Sequence, residues 1–443
     1  MNNEYKEICV DNLSNSLSKN NIAFLCGNGF SINFDDYFKD IFNLNKLYKA
    51  HNYIKLNSEY RLKANKIFSS KFNENFSSIM EYTSNFKKAD LDKVFNDGLK
   101  LAKYIYNNES IKRNLKKNGY IDSNKFINQL EILRLISNEN KIEYINLEYW
   151  TVLMYIVLCI DDMNIDINLS ENLFIKLVRV GNKKKYSFIN NKGNNSFRIF
   201  ESYIGNGFNI YYRFLICTVI FNYGKFLDIE QLSNIKNGSK DLEKIKCFLG
   251  SFKLLITTNY DNIIDLVTKD IDIDKKHIHG EFIINKGNEY VYNQSLGIYF
   301  NENNDYVSIS DILLGDYLVK NMSHVLYTLS YMQDNDKINK EMTFINNIIS
   351  NQINKNNIDT FLIFGLNIEN DQHLLTSIIS GFEQNSVKNP KIIFSYFRKE
   401  EKDIFLRELS KIESIPQISN EYLKKLSIEF IQTNEILEMY FNK

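Results

Sequence analysis

Ile22-Ala23-Phe24-Leu25-Cys26-Gly27-Asn28-Gly29-Phe30-Ser31 is the stretch that decides how this chain folds. A short unbroken apolar run ending at a glycine reads as a strand buried on both faces, the kind found in parallel sheets. The glycine pair lets the backbone turn tightly and approach a phosphate with no Cβ in the way. A helix starting there would point free amides at that phosphate. Ile32 stands where the third glycine of a full dinucleotide fingerprint belongs, and no phosphate-loop lysine follows.

Upstream, Tyr5, Ile8, Cys9, Leu13 and Leu17 fall at helical spacing and predict an N-terminal amphipathic helix. Downstream, from about 37 to 245, the apolar positions recur every three or four residues, as at Leu91, Val94, Phe95, Leu99, Ala102 and Ile105. Glu148 to Ile160 and Ile210 to Phe221 are long enough for helices, and Val180 to Asn195 reads as an exposed loop. After 245, apolar runs return at Phe252–Ile256, Tyr306–Ile309, Thr360–Phe364, Lys391–Phe394 and Leu426–Ile431. Helical patterns lie between several of them, around 315–332, 340–350, 371–382 and 399–411. Strands alternating with helices imply crossovers and a parallel, doubly wound sheet. The expected architecture is therefore α/β. A Rossmann-like domain comprises 1–40 and 246–443 and is interrupted by a large, mainly helical insertion over 41–245.

Composition sets the outer bounds. The 443 residues carry 54 Lys+Arg and 54 Asp+Glu, so the formal charge is zero and no field favours duplex nucleic acid or an anionic membrane. With 44% hydrophobic residues the chain can bury a large core. Cys9, Cys26, Cys159, Cys217 and Cys247 include no CxxC pair, so the expectation is reduced thiols in a cytoplasmic protein without a zinc ribbon. The first residues lack a signal-like apolar stretch, and the run Tyr149 to Ile160 is far short of the ~20 residues of a membrane span.

Two further motifs follow the glycine turn. Leu254-Leu255-Ile256-Thr257-Thr258-Asn259-Tyr260-Asp261 puts polar side chains at the carboxyl end of a strand, where doubly wound folds bind ligands. The plain structural reading of Asp261 is an Asx turn and helix cap. In His277-Ile278-His279-Gly280, two of the chain's five histidines share one face of an extended segment. No third and fourth ligand at metal-like spacing accompanies them, so a general base is expected and a metal is not. Gly205-Asn206-Gly207-Phe208 repeats the spelling of the first motif but follows no clean buried strand, and reads as coincidence in an Asn-rich chain.

In this order, the glycine turn with Ser31, the Thr-Thr-Asn-Tyr-Asp strand end and the His-Gly pair resemble the sirtuin superfamily, in particular its bacterial, defence-associated sirtuin-like branch. The Gly-Asn-Gly-Phe spelling also resembles abortive-infection proteins of the AbiH type. The resemblance covers roughly 5–40 and 250–435. It implies NAD+ as substrate, held at its diphosphate by the Gly27, Asn28, Gly29, Phe30 and Ser31 turn. Asn259 and Asp261 would form the pocket for the nicotinamide and its ribose, and His279 would be the catalytic base. Phe364-Gly365-Leu366-Asn367 leading into Asp371-Gln372-His373 is similar to a glycine–serine stretch of such proteins, and places Gly365 and Asn367 near the adenosine half. Asn367 stands where serine is usual.

Sirtuin deacylases keep a four-cysteine zinc module beside the NAD site, which this chain lacks. The expected activity is therefore NAD+ glycohydrolysis, releasing nicotinamide and ADP-ribose, in an abortive-infection anti-phage effector. A homo-oligomer, with a phage-derived trigger or companion defence protein, is the expected setting. The alternative is a non-catalytic sensor or regulatory subunit that binds NAD or ADP-ribose and returns it intact.

Overall fold

The computed structural model describes residues 5–19, 21–59, 61–62, 69–121, 129–167, 169, 171–181, 203–223, 239–284, 289–293, 297–300, 305–308, 314, 345–413, 415 and 418–443. Its strands in chain order are β1 (Tyr5–Glu7), β2 (Ile22–Cys26), β3 (Arg61–Leu62), β4 (Leu254–Thr257), β5 (Asp274–His277) and β6 (Glu281–Ile284). Then come β7 (Glu289–Asn293), β8 (Gly297–Phe300), β9 (Asp305–Ser308), β10 (Thr360–Phe364), β11 (Lys391–Tyr396) and β12 (Ser427–Gln432). The chain divides into two compact units, one built from 1–39, 225–281 and 343–443, the other from 40–224 and 282–342.

The first unit is α/β and Rossmann-like. Its seven-stranded sheet has the order β1-β12-β11-β10-β2-β4-β5, and its pairs are all parallel. β2 and β10 are buried at every position, as suits runs that are apolar throughout apart from Thr360. From β2 the chain adds β4 and β5 on one side, and later returns to lay β10 on the other side of β2. The carboxyl ends of β2 and β10 therefore flank a topological switch point. Phe24 anchors the core beneath it, with its ring 5.1–6.0 Å from those of Phe30, Phe248, Phe252 and Phe364. Helices Gln372–Gln384 and Lys399–Ile412 connect β10 to β11 and β11 to β12.

The second unit is helical, with two small β elements. Helices Tyr149–Asp162 and Gly207–Ile220 are apolar on nearly every face and buried almost throughout, as central helices must be. Trp150 packs among Phe42, Phe95 and Phe174. β3, β7 and β6 form a three-stranded sheet, and β8 pairs antiparallel with β9.

The structure departs from the sequence reading in particular places. Tyr5–Glu7 is not helical but an edge strand on β12, and the helix starts at Val10. The apolar run at Tyr306–Ile309 is a strand, Asp305–Ser308, yet it joins a two-stranded antiparallel sheet, and 282–342 groups with the helical unit. A short apolar run suits either sheet, so its partner is set by non-local pairing. The expected helix around 315–332 and most of the Val180 to Asn195 loop lie outside the described residues. No helix among the described residues is long and apolar enough to cross a membrane. Cys26, Cys159 and Cys217 are buried, Cys9 and Cys247 are exposed, and none is in a disulfide.

Candidate functional site

Four loops leave the carboxyl ends of β2, β4, β5 and β10, and each is tied to the next. The glycine turn after β2 comes first. Gly27 N–H donates to the Phe364 carbonyl at 3.2 Å and Gly29 N–H to the Gly365 carbonyl at 2.9 Å, so this turn lies against the loop after β10. A Cβ on Gly29 would sit 2.5 Å from the Gly365 Cα, and one on Gly365 would sit 2.6 Å from the Gly29 Cα. Gly365 also holds a φ of +60°, a conformation L side chains rarely adopt. Glycine is thus required at 29 and 365 by mutual backbone approach, which by itself accounts for the motif without a phosphate. The helix that follows, Asn28–Ile32, is a five-residue turn. Phe30 is buried in the core, packed against Phe24 and Phe34. Asn28 is exposed and donates to the Phe38 carbonyl at 2.7 Å.

The loop after β4 locks onto this turn. The Asn259 amide donates to the Gly27 carbonyl at 3.1 Å and to Ser31 Oγ at 2.8 Å, which commits both amide hydrogens and leaves Oδ1 as the group able to face a ligand. Ser31 Oγ donates in turn to Asp261 Oδ2 at 2.8 Å, while Asp261 Oδ1 accepts from the Ile263 N–H at 3.1 Å. Asp261 is therefore both the Asx turn of the plain reading and the end of an Asn259–Ser31–Asp261 chain. Burial raises its pKa despite the hydrogen bonds from Ser31 and the Ile263 amide. Each carboxylate oxygen accepts one hydrogen bond within the protein, which fixes Asp261 beside Ser31 and Asn259. Ser31 is fully buried, so its hydroxyl orients Asn259 and does not line an open surface.

The two histidines at the carboxyl end of β5, His277 in the strand and His279 in the loop after it, have different surroundings. His277 Nε2 lies 2.6 Å from Asp265 Oδ2 and 3.4 Å from Glu281 Oε2, and Nδ1 lies 3.0 Å from the Asn259 carbonyl. Both ring nitrogens face acceptors, so the protonated imidazolium is the form that satisfies the site. Burial opposes that charge, yet Asp265, aided by Glu281 and the Asn259 carbonyl, outweighs it and holds the pKa up to about 9. Burial would also push Asp265 up, and His277 and Lys275 hold it below its ordinary value. His277 is thus a charged clamp on the Asn259 backbone and has no lone pair to offer as a base.

His279 lies one turn further on, where Gly280 takes a φ of +87° and donates to the His277 carbonyl. It is buried, with Nε2 3.1 Å from His373 Nε2 and 3.9 Å from Asp371 Oδ1. Two Nε2 atoms this close can share one proton but cannot each carry one. His373 and Asp371 open helix Gln372–Gln384, which follows the Gly365–Asn367 loop. That closes the circuit back to Gly29. Asn367 is exposed, and its Oδ1 accepts from the Glu369 N–H, shaping the loop. Sequence spacing offered no third ligand beside His277 and His279. The fold separates the two histidines and gives His279 two other neighbours, the ligand atoms of His279, Asp371 and His373 all lying within 4.8 Å of one another.

The second Gly-Asn-Gly-Phe copy is structural. Asn206 caps helix Gly207–Ile220 by accepting from the Asn209 N–H, and donates to the Tyr203 carbonyl. Comparison with protein-family models, with curated proteins and with solved structures gives no match to this chain.

Proposed function

We propose that this protein is an NAD+ glycohydrolase that cleaves the bond between nicotinamide and ribose with water. The observation that carries the reading is the convergence of the Gly27–Ser31 turn, Asn259 and the His279 loop at one carboxyl edge of a parallel sheet, beside its switch point. Nicotinamide in NAD+ is a cationic leaving group and departs with the bonding electron pair as a neutral molecule, so it needs no acid. What the reaction needs is a fixed ribose and one oriented water in a site that excludes the rest. Asn259 Oδ1 accepts from a ribose hydroxyl or from that water. His279, as the neutral imidazole, takes the proton that the water loses on attacking the ribose carbon, a contribution of roughly 10²–10⁴-fold. Ser31, Asp261 and His277 hold Asn259 in place.

Unrestrained NAD+ loss kills a cell, and the reading therefore includes a restrained state released by a phage-derived trigger, as in an abortive-infection effector. Chromatography of NAD+ incubated with the purified protein, with and without lysate of phage-infected cells, tests it. Equimolar nicotinamide and ADP-ribose are expected, and Asn259→Ala and His279→Ala should each remove cleavage without unfolding the protein. NAD+ bound but recovered intact under both conditions would replace the enzyme with the sensor reading.

A further inference from the structure

The two imidazoles and one carboxylate at His279, His373 and Asp371 form a donor set suited to a divalent transition-metal ion. Tetrahedral zinc with bonds of about 2.0–2.1 Å keeps its donor atoms about 3.3 Å apart. The Nε2–Nε2 distance of 3.1 Å and the Nε2–Oδ1 distance of 3.9 Å lie on either side of that spacing. The donors come from the ends of β5 and of the β10 loop, on a scaffold whose backbone is fixed by the Gly29–Gly365 contact and by the first turn of helix Gln372–Gln384. His279 and His373 are 3% and 6% exposed, so a cation there would be largely stripped of water and held by protein, with a fourth position left for solvent or an anion. In the other histidine-and-carboxylate cluster, Asp265, His277 and Glu281, both imidazole nitrogens are already engaged, with Nε2 2.6 Å from Asp265 Oδ2 and Nδ1 3.0 Å from the Asn259 carbonyl.

We infer that His279, Asp371 and His373 bind a single zinc-type divalent cation, and that this cation is a brake on the proposed hydrolase. The brake rests on the reading of His279 as the base. A metal on its Nε2 occupies the lone pair at that atom and fixes the ring toward His373 and Asp371, away from proton transfer. Cleavage then resumes when the cation is removed.

The test uses the full chain, freed of metal by chelation and titrated with Zn2+ by calorimetry and with Co2+ by visible absorption. One cation per chain is expected, with the intense visible bands of four-coordinate Co2+. His373→Gln and Asp371→Asn, each checked by circular dichroism, should weaken binding by about 100-fold or more, since even an outer partner of a ligand is worth 10–100-fold. In parallel, NAD+ cleavage by the wild type should fall at least about tenfold at saturating Zn2+ and recover with chelator, a factor of ten being 1.4 kcal/mol. Each variant's own ratio with and without Zn2+ should stay near one. Absence of Zn2+ binding by the wild type, or binding indifferent to both substitutions, overturns the site. Tight binding that leaves cleavage unchanged overturns the brake alone. A chain that binds Zn2+ through these residues but never cleaves NAD+ keeps the site and refutes the hydrolase reading.

Discussion

Raising the pH from 6 to 10 should loosen the first unit by a calculable amount through His277. An imidazolium whose pKa is ordinary when unfolded and about 9 when folded keeps its proton in the native state over that window while the unfolded chain releases it. Below about pH 6.5 both states are protonated and the clamp contributes in full. Between about 6.5 and 9 the contribution declines by about 1.4 kcal/mol per pH unit, a total of about 3 kcal/mol, and above that it is gone. The value is large for one histidine because Asp265 Oδ2 at 2.6 Å and the Asn259 carbonyl at 3.0 Å together outweigh the burial that opposes the charge. Guanidinium unfolding followed by circular dichroism at several pH values would measure it, with His277→Gln as the reference that subtracts every other titrating group. The difference in stability between wild type and variant should be greatest at pH 6 and shrink through pH 9. A difference that stays flat with pH, or grows, would refute the argument that the charged form holds the Asn259 backbone. Asp265 carries the opposite sign: its lowered pKa means that its contribution is lost only as the medium is acidified through its folded value.

Gly29→Ala and Gly365→Ala should each destabilise the protein by about 1–3 kcal/mol, read as a lowered melting temperature, because the new methyl meets backbone at 2.5 and 2.6 Å with no side chain to move aside. Ser31→Ala removes the hydroxyl between Asn259 and Asp261, and should cost about 1–3 kcal/mol in denaturant melts and slow NAD+ cleavage as Asn259 loses its orientation. Asn206→Ala should cost about 1 kcal/mol of stability through its lost helix cap while leaving cleavage per folded molecule unchanged; a loss of turnover in folded protein would contradict its structural role.

The interior of the sheet was readable along the chain, and its rims were not. β2 is an unbroken apolar run, and β4 and β10 are apolar but for one threonine each, because each is covered on both faces, and burial on both faces leaves no room for polar alternation. β1 and β5 are the outermost strands, with the sequences Tyr-Lys-Glu and Asp-Lys-Lys-His, and nothing in those residues announces a strand. They are strands because the backbone of β12 and of β4 offers them a ladder, which a local pattern cannot register.

The site divides along the same line. Local chemistry singled out the glycine turn, Asn259, Asp261 and His279, since glycines and polar groups at strand ends stand out against apolar runs. Only the folded chain decided what each does there. It turned Gly29 against Gly365, gave each oxygen of Asp261 a hydrogen bond, charged His277 against Asp265, and brought His373 to His279 across 94 residues. Sequence separation sets no limit on which atoms meet, whereas hydrogen bonding and charge act over a few ångströms. The sequence by itself therefore determined which groups are present at the sheet edge, and the tertiary structure alone determined which of them remain available to a ligand.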